Sequence, residues 1–186
     1  MSHLNVVAIA GSVSSTSRTL VLAEAIVAEL ASRLPIQASV LSLAGIAREL
    51  GGSLHRKELS PIAEDTLQAI EHAELLLVAA PVYRASYPGL LKHLFDLVGQ
   101  DALIDTPVLL AATGGSERHA LVIDHQLRPL FSFFQAVTLP IGVYASEADF
   151  QGHALHGAAI HTRIALAADR AAGLLAGHRI ALHAIA

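Results

Sequence analysis

The chain contains no cysteine. Disulfides and thiolate chemistry are therefore excluded, and the absence is compatible with a cytoplasmic location. Charge is also scarce. Asp, Glu, Lys and Arg make up 15% of the residues, the net charge is −4, and no basic block occurs. Nothing here invites nucleic acid or an anionic membrane surface. The acidity is also modest for a carrier that docks through an acidic face. Long apolar runs are missing too. A membrane span needs about 18–20 uninterrupted apolar residues, and the best run, Leu75 to Val82, is far shorter. The N-terminal apolar stretch covers only Val6 to Ala10, with no cationic region before it. Neither a signal peptide nor a transmembrane helix is expected. There is no low-complexity tract, internal repeat or linker.

What is present is apolar residue in quantity: 53% of the 186 positions, with a mean hydropathy of +0.53. This length suits one domain, residues 1–186, with a substantial core. The high hydropathy fits a buried parallel sheet and an oligomer interface.

Strand-like and helix-like patterns alternate. Leu4–Ala10 is a compact apolar run ending at Gly11 and reads as a buried first strand. Thr19–Leu34 has apolar residues at helical spacing and stops at Pro35. Ile36–Leu43 reads as the second strand, and Ala44–Glu58 as a short helix and a loop. Ser60 caps a helix that starts at Pro61. Leu75–Ala80 is the third strand, Gly89–Val98 a helix, and Pro107–Thr113 the fourth strand. Glu117–Phe134 reads as one long helix, Val137–Tyr144 as the fifth strand, and Ala158–Leu175 as the closing helix. Such alternation predicts a flavodoxin-like α/β three-layer sandwich. Its sheet has five parallel strands in the order 2-1-3-4-5, with helices on both faces.

In that order the carboxyl ends of strands one, three and four meet at the topological switch point, where ligands bind. The first loop, Gly11–Thr19, carries five hydroxyls (Ser12, Ser14, Ser15, Thr16, Ser17) and then Arg18. It leads into a helix N-terminus, whose free amides and dipole attract an anion. It lacks GxxxxGK[ST] and GxGxxG, so a monophosphate suits it better than ATP or a dinucleotide. An ordinary capped turn would also explain it. The second loop, Pro81–Tyr87, offers Tyr83 and Tyr87, flat apolar faces with polar tips, and the rim cation Arg84. It can edge a planar ring, or the tyrosines can simply pack the loop. The third loop holds Thr113, Gly114, Gly115 and Ser116. Its glycines allow close backbone approach to a ligand, and its amides can meet a ring carbonyl.

Three segments taken in order carry a resemblance: GSVSSTSR, PVYRASYPGLLKHLFD and ATGGSERHALVIDHQLRP. Together they resemble the NAD(P)H-dependent FMN reductase family. Within it they are most similar to the reductases of two-component alkanesulfonate and methanesulfonate monooxygenase systems. The resemblance runs from Val6 to about Ala172. It implies that Ser12, Ser17, Arg18 and Thr19 hold the FMN phosphate. It implies that Pro81, Val82, Tyr83 and Arg84 lie along the isoalloxazine, and that Thr113, Gly114, Gly115 and Ser116 meet its pyrimidine edge. It also implies a homodimer or homotetramer, with interfaces on the helix from Pro88 and the helix from Glu117. In the alkanesulfonate-type reductases an inserted residue, often tyrosine, gives the long helix a π-helical turn at the tetramer interface. Here the matching position is His125, an interface and π-helix candidate that can stack or hydrogen-bond, so the resemblance does not by itself extend to behaviour that depends on tyrosine. Pro129 independently marks a local defect, because it has no N–H for the His125 carbonyl. A π-bulge or a simple proline kink would absorb it.

The implied activity is hydride transfer from NADH or NADPH to FMN, with the reduced flavin passed to an FMN-dependent sulfonate monooxygenase. The flavin performs that chemistry, so no catalytic side chain in the strict sense is expected. The alternatives are an FMN-containing quinone, azo or chromate reductase and a flavodoxin-like electron carrier. His153, His156 and His161 lack the i, i+4 spacing of zinc motifs, and no metal is expected. His119 follows the third loop and reads as a surface residue that could reach the flavin.

Overall fold

A computed structural model describes residues 3–185. Strands β1 (Leu4–Ala10), β2 (Ile36–Ser42), β3 (Leu75–Pro81) and β4 (Pro107–Gly114) pair in parallel in the order β2-β1-β3-β4. Two short strands, β5 (Val137–Thr138) and β6 (Val143–Ser146), both pair with β4 on its far side. The flavodoxin-like order is therefore present, with its last strand divided.

The division has a local cause. Val108 faces Thr138, but Ala111 faces Val143, so two extra residues are looped out between β5 and β6. Pro140 has no amide for the ladder. At Gly142 a Cβ would stand 2.7 Å from Ile123 Cγ2 and 3.1 Å from the Leu110 carbonyl, a gap only glycine fits. The expected continuous strand Val137–Tyr144 is corrected accordingly, and its second half runs on to Ser146.

Both faces of the sheet are covered, which is why β1, β3 and β4 are almost wholly apolar, Asn5 and Thr113 being the polar exceptions. On one face Val7, Ile9, Leu76, Val78 and Leu110 pack against helices α2 (Ala47–Gly52), α3 (Pro61–Glu71), α4 (Gly89–Leu97) and α5 (Arg128–Phe133). Phe95 and Phe131 meet edge to face there, with ring centroids 5.0 Å apart. On the other face Val6, Ala8, Leu77 and Leu109 meet α1 (Arg18–Ala31) and α6 (Ala158–Ile185). Helix α1 begins one residue before the expected Thr19 and ends before Leu34, and α6 runs ten residues past Leu175.

The expected uniform helix Glu117–Phe134 is corrected most. It is a 3₁₀ turn over Glu117–His119, a π-helical turn over Ile123–Leu127, and then α5. The Arg128 amide donates to the Ile123 carbonyl, five residues back. Pro129 cannot donate to the His125 carbonyl, and the wider turn accommodates that missing bond.

A short clasp closes the far end of the fold. Arg56, in a 3₁₀ turn before α3, forms ion pairs with Glu64 at 2.7 Å and Glu71 at 2.5 Å. Glu71 also accepts from the Gly99 amide at 2.8 Å, which ties α3 to the end of α4.

Candidate functional site

The loops after β1, β3 and β4 lie together at one end of the sheet. At Gly11 a Cβ would sit 2.8 Å from Leu91 Cδ2 and 3.3 Å from the Ala79 carbonyl, so the first loop leaves the strand pressed against its neighbours. Val13 to Thr16 are exposed, while Ser12 is buried and accepts from the Ser14 amide at 3.2 Å. Ser17 caps α1 by accepting from the Thr19 amide at 3.1 Å. The first turn of α1 holds no acidic side chain, so its positive end is left for an outside anion.

Thr19 and Thr113 are both buried, and their hydroxyls stand 2.6 Å apart. The bond fastens the first loop to the end of β4. It also gives the Thr19 hydroxyl a partner within the protein.

The second loop is a tight hairpin. Tyr83 and Ser86 exchange backbone bonds of 2.8 and 3.2 Å, with Arg84 and Ala85 between them at φ 52° and 71°. Two consecutive positive φ values are the signature of a type I′ turn, which glycine and asparagine favour and arginine and alanine do not. The Ser86 hydroxyl donates to Gln126 Oε1 at 3.1 Å. The hairpin is thereby tied to the π-helical turn.

The third loop is shaped by Tyr144 of β6. Its hydroxyl donates to the Ser116 carbonyl at 2.6 Å and lies 2.2 Å from where a Cβ on Gly114 would be. Burial, then the Glu117 and Asp149 carboxylates, hold the Tyr144 phenol above its ordinary pKa. It therefore stays protonated and donating near neutrality.

Between these loops lies an open cleft of about 200 Å³. Its lining includes Arg18, Tyr83, Gly114, Glu147 and Phe150. Of the residues expected from sequence, Arg18, Pro81, Val82, Tyr83, Thr113, Gly114 and Gly115 meet in this cleft. Ser12, Ser17, Thr19, Arg84 and Ser116 stand outside its lining. Arg84 is at the exposed hairpin tip, and Ser116 presents its carbonyl to Tyr144. Arg18 is turned toward Glu147, with Nη1 to Oε1 at 2.9 Å.

Sequence reasoning missed Ser146, Glu147 and Phe150, which form the wall after β6. A signal was available. Ser146 and Asp149 make a capping box, Asp149 Oδ2 accepting from the Ser146 amide at 2.7 Å and hydroxyl at 2.9 Å. His153 and His156 are exposed around a β-hairpin made of β7 (Phe150–Gln151) and β8 (Ala154–Leu155). Among the described residues no group of three or more His, Asp or Glu side chains is placed to hold a metal.

These features suit a flavin mononucleotide. The helix end and hydroxyl loop can take a monophosphate, and the space beside Gly115 is clear of neighbours within 4 Å. The amides around Gly114 and Gly115 can approach a planar ring, with Tyr83 along its side.

Comparison with known proteins agrees. A family model described as NADPH-dependent FMN reductase matches residues 4–151. An NADH-dependent FMN reductase, SfnF, of Pseudomonas fluorescens (strain Pf0-1) is 65% identical over 175 residues, 94% of each chain. An FMN reductase (NADPH) of Pseudomonas aeruginosa is 61% identical over 176 residues, 95% of each chain. The solved structure of an NADH:FMN oxidoreductase (EMOB) in its apo form matches with a TM-score of 0.79 and 30% identity. That match covers 88% of this chain and 86% of the other.

Proposed function

Because the chain belongs to the NADPH-dependent FMN reductase family, we propose that it takes hydride from NADH or NADPH to FMN and releases reduced flavin to an FMN-dependent sulfonate monooxygenase. The observation that carries the reading is the convergence of Arg18, Pro81–Tyr83 and Thr113–Gly115 on one cleft at the switch point of the sheet. The 65% identity to a relative named an NADH-dependent FMN reductase, and 61% to one named for NADPH, support the activity with either nucleotide. The two-component resemblance of the three motifs supports the sulfonate partner. The absence of cysteine accords with a cytoplasmic setting. Among the described residues no helix is long and apolar enough to cross a membrane.

Roles follow from position. The amides at the start of α1, with Ser12, Ser17 and Arg18, receive the phosphate. The Thr19–Thr113 bond holds that loop against β4. Pro81, Val82 and Tyr83 flank the ring, Gly114 and Gly115 let backbone amides reach its edge, and Arg84 rides at the rim. When bound, FMN supplies the hydride-accepting ring, and the protein supplies orientation.

The reading includes a homo-oligomer. A groove of about 610 Å³ runs between α4 and the π-helical turn, lined by Phe95, His125, Pro129, Phe133 and others. Phe133, 63% exposed, is the kind of side chain a second copy would cover. His125 would stand at that contact.

Steady-state oxidation of NADH and of NADPH, with and without FMN, tests the activity. FMN-dependent oxidation is expected, and its absence with both nucleotides would refute the reading. A protein that purifies without colour, and whose turnover responds to a sulfonate monooxygenase, is the expected flavin-shuttling form. A yellow protein with stoichiometric FMN would instead indicate a quinone or azo reductase.

A further inference from the structure

Among the described residues lining the cleft, Arg18 is the only cation, and it is already engaged. Its Nη1 donates to Glu147 Oε1 at 2.9 Å, its Nε donates to the Gly152 carbonyl at 3.2 Å, and its guanidinium lies 5.5 Å from the centre of the Phe150 ring. All three partners belong to one segment. That segment is pinned to β6 by the Ser146–Asp149 capping box and turned back by the β7–β8 hairpin, with Gly152 at φ 65°.

The pair is exchangeable. The Arg18 and Glu147 side chains are 36% and 65% exposed, and exposed ion pairs are individually weak. Arg18 is also the first residue of α1, at the end whose amides attract an anion. A phosphate arriving there meets a guanidinium that already carries a carboxylate. Glu147 lines the same cleft and repels the same ligand.

We propose that Glu147 is a built-in competitor for the FMN phosphate, setting the flavin's affinity low enough for release by neutralising Arg18. This rests on the reading that the cleft binds FMN. The carboxylate acts through Arg18 and through direct repulsion, so Glu147 tunes binding and takes no part in hydride transfer. The sign is unusual. Loss of a cleft residue ordinarily weakens a ligand, whereas loss of this charge strengthens it.

The test compares E147Q with the wild type, measuring FMN and riboflavin dissociation constants by fluorescence quenching. Glutamine keeps the shape and removes the charge. E147Q should bind FMN about three- to tenfold more tightly, the scale expected for one unit charge at close range in a water-like dielectric. The gain should shrink between about 20 mM and about 500 mM salt as screening grows. Riboflavin has no phosphate, so its affinity should not change. Stopped-flow release of FMN should slow in proportion.

Unchanged or weaker FMN binding by E147Q overturns the proposal, and so does an equal change for riboflavin. Y83A separates this outcome from failure of the site itself. If Y83A weakens both flavins while E147Q does nothing, only the competitor role falls. If Y83A affects neither flavin, the cleft is not the flavin site and both readings fall.

Discussion

Replacing Gly114 by alanine should damage the third loop through a single atom. The new Cβ would lie 2.2 Å from Tyr144 Oη, 3.2 Å from its Cζ and 3.5 Å from His119 Cβ. Relief requires the phenol to retreat by roughly 1 Å to reach ordinary contact. That movement breaks its 2.6 Å bond to the Ser116 carbonyl, at a cost of about 1 kcal/mol. Residual overpacking adds about 1–3 kcal/mol. The lower entropy of the unfolded alanine chain offsets about 0.4–1 kcal/mol, because Gly114 is not at positive φ. The net expectation is a loss of about 1–3 kcal/mol. Y144F alone loses only the hydrogen bond, about 1 kcal/mol. In the Y144F background the 2.2 Å contact no longer exists, and the nearest atom is the ring carbon at 3.2 Å. G114A should then cost well under about 1 kcal/mol, giving a coupling of about 1–2 kcal/mol between the two sites. Urea denaturation of flavin-free wild type, both single variants and the double variant measures this. FMN KM should rise in G114A and recover in the double variant. An equal cost of G114A in both backgrounds would refute the account, because the clash would then lie elsewhere.

Loss of the Ser86–Gln126 bond should reach the flavin loop. S86A and Q126L are each expected to raise the FMN KM about two- to fivefold. The double variant should do no worse than either, and Q126E, which keeps an acceptor, should behave as wild type; additive effects would argue against the link. R56M should change acid stability. Hydrogen bonds from Arg56 and Gln68 pull Glu64 below its usual 4.5. Burial pushes Glu71 up, but the Arg56 and Gly99 donors pull it below 4.5 overall. Lowered carboxyl pKa values stabilise the fold above the unfolded value and lose that contribution as pH falls through the folded one. The wild type should therefore lose stability below about pH 4.5 more steeply than R56M, with a difference of about 1 kcal/mol at pH 7. Parallel pH–stability curves in denaturant would contradict this.

Much of the fold was legible because the sheet strands covered on both faces are almost wholly apolar. Leu4–Ala10 and Leu75–Ala80 needed no subtler signal. Strand order then placed three loops together, and seven of the twelve expected cofactor residues do share the cleft. The division of the last strand was harder. Pro140 and Gly142 were visible, but the close approach of Ile123 that demands glycine at 142 is a contact between distant segments. Reading Val137–Tyr144 as one strand stopped the site too early, so Glu147 and Phe150 were passed over. The engagement of Arg18 by Glu147 and of Thr19 by Thr113 could not be read either. Both bonds join residues over 90 positions apart, and composition says nothing of such partners. The helical defect was legible because proline removes a specific donor, at a position fixed by the chain itself.

The broken last strand also bears on where the sheet can accept a strand from another molecule. It lies at the sheet's margin, where unpaired backbone groups offer a template for another molecule. An unbroken strand from Val137 to Ser146 would present a long template rich in β-branched and apolar residues. Instead the margin is cut into pieces of two and four residues, with a proline and a looped-out pair between them. Neither piece offers a run long enough for a stranger's strand to zip along. The same irregularity that carries Glu147 and Phe150 to the cleft thus leaves this margin, unlike the seven-residue β2 edge, without a long template.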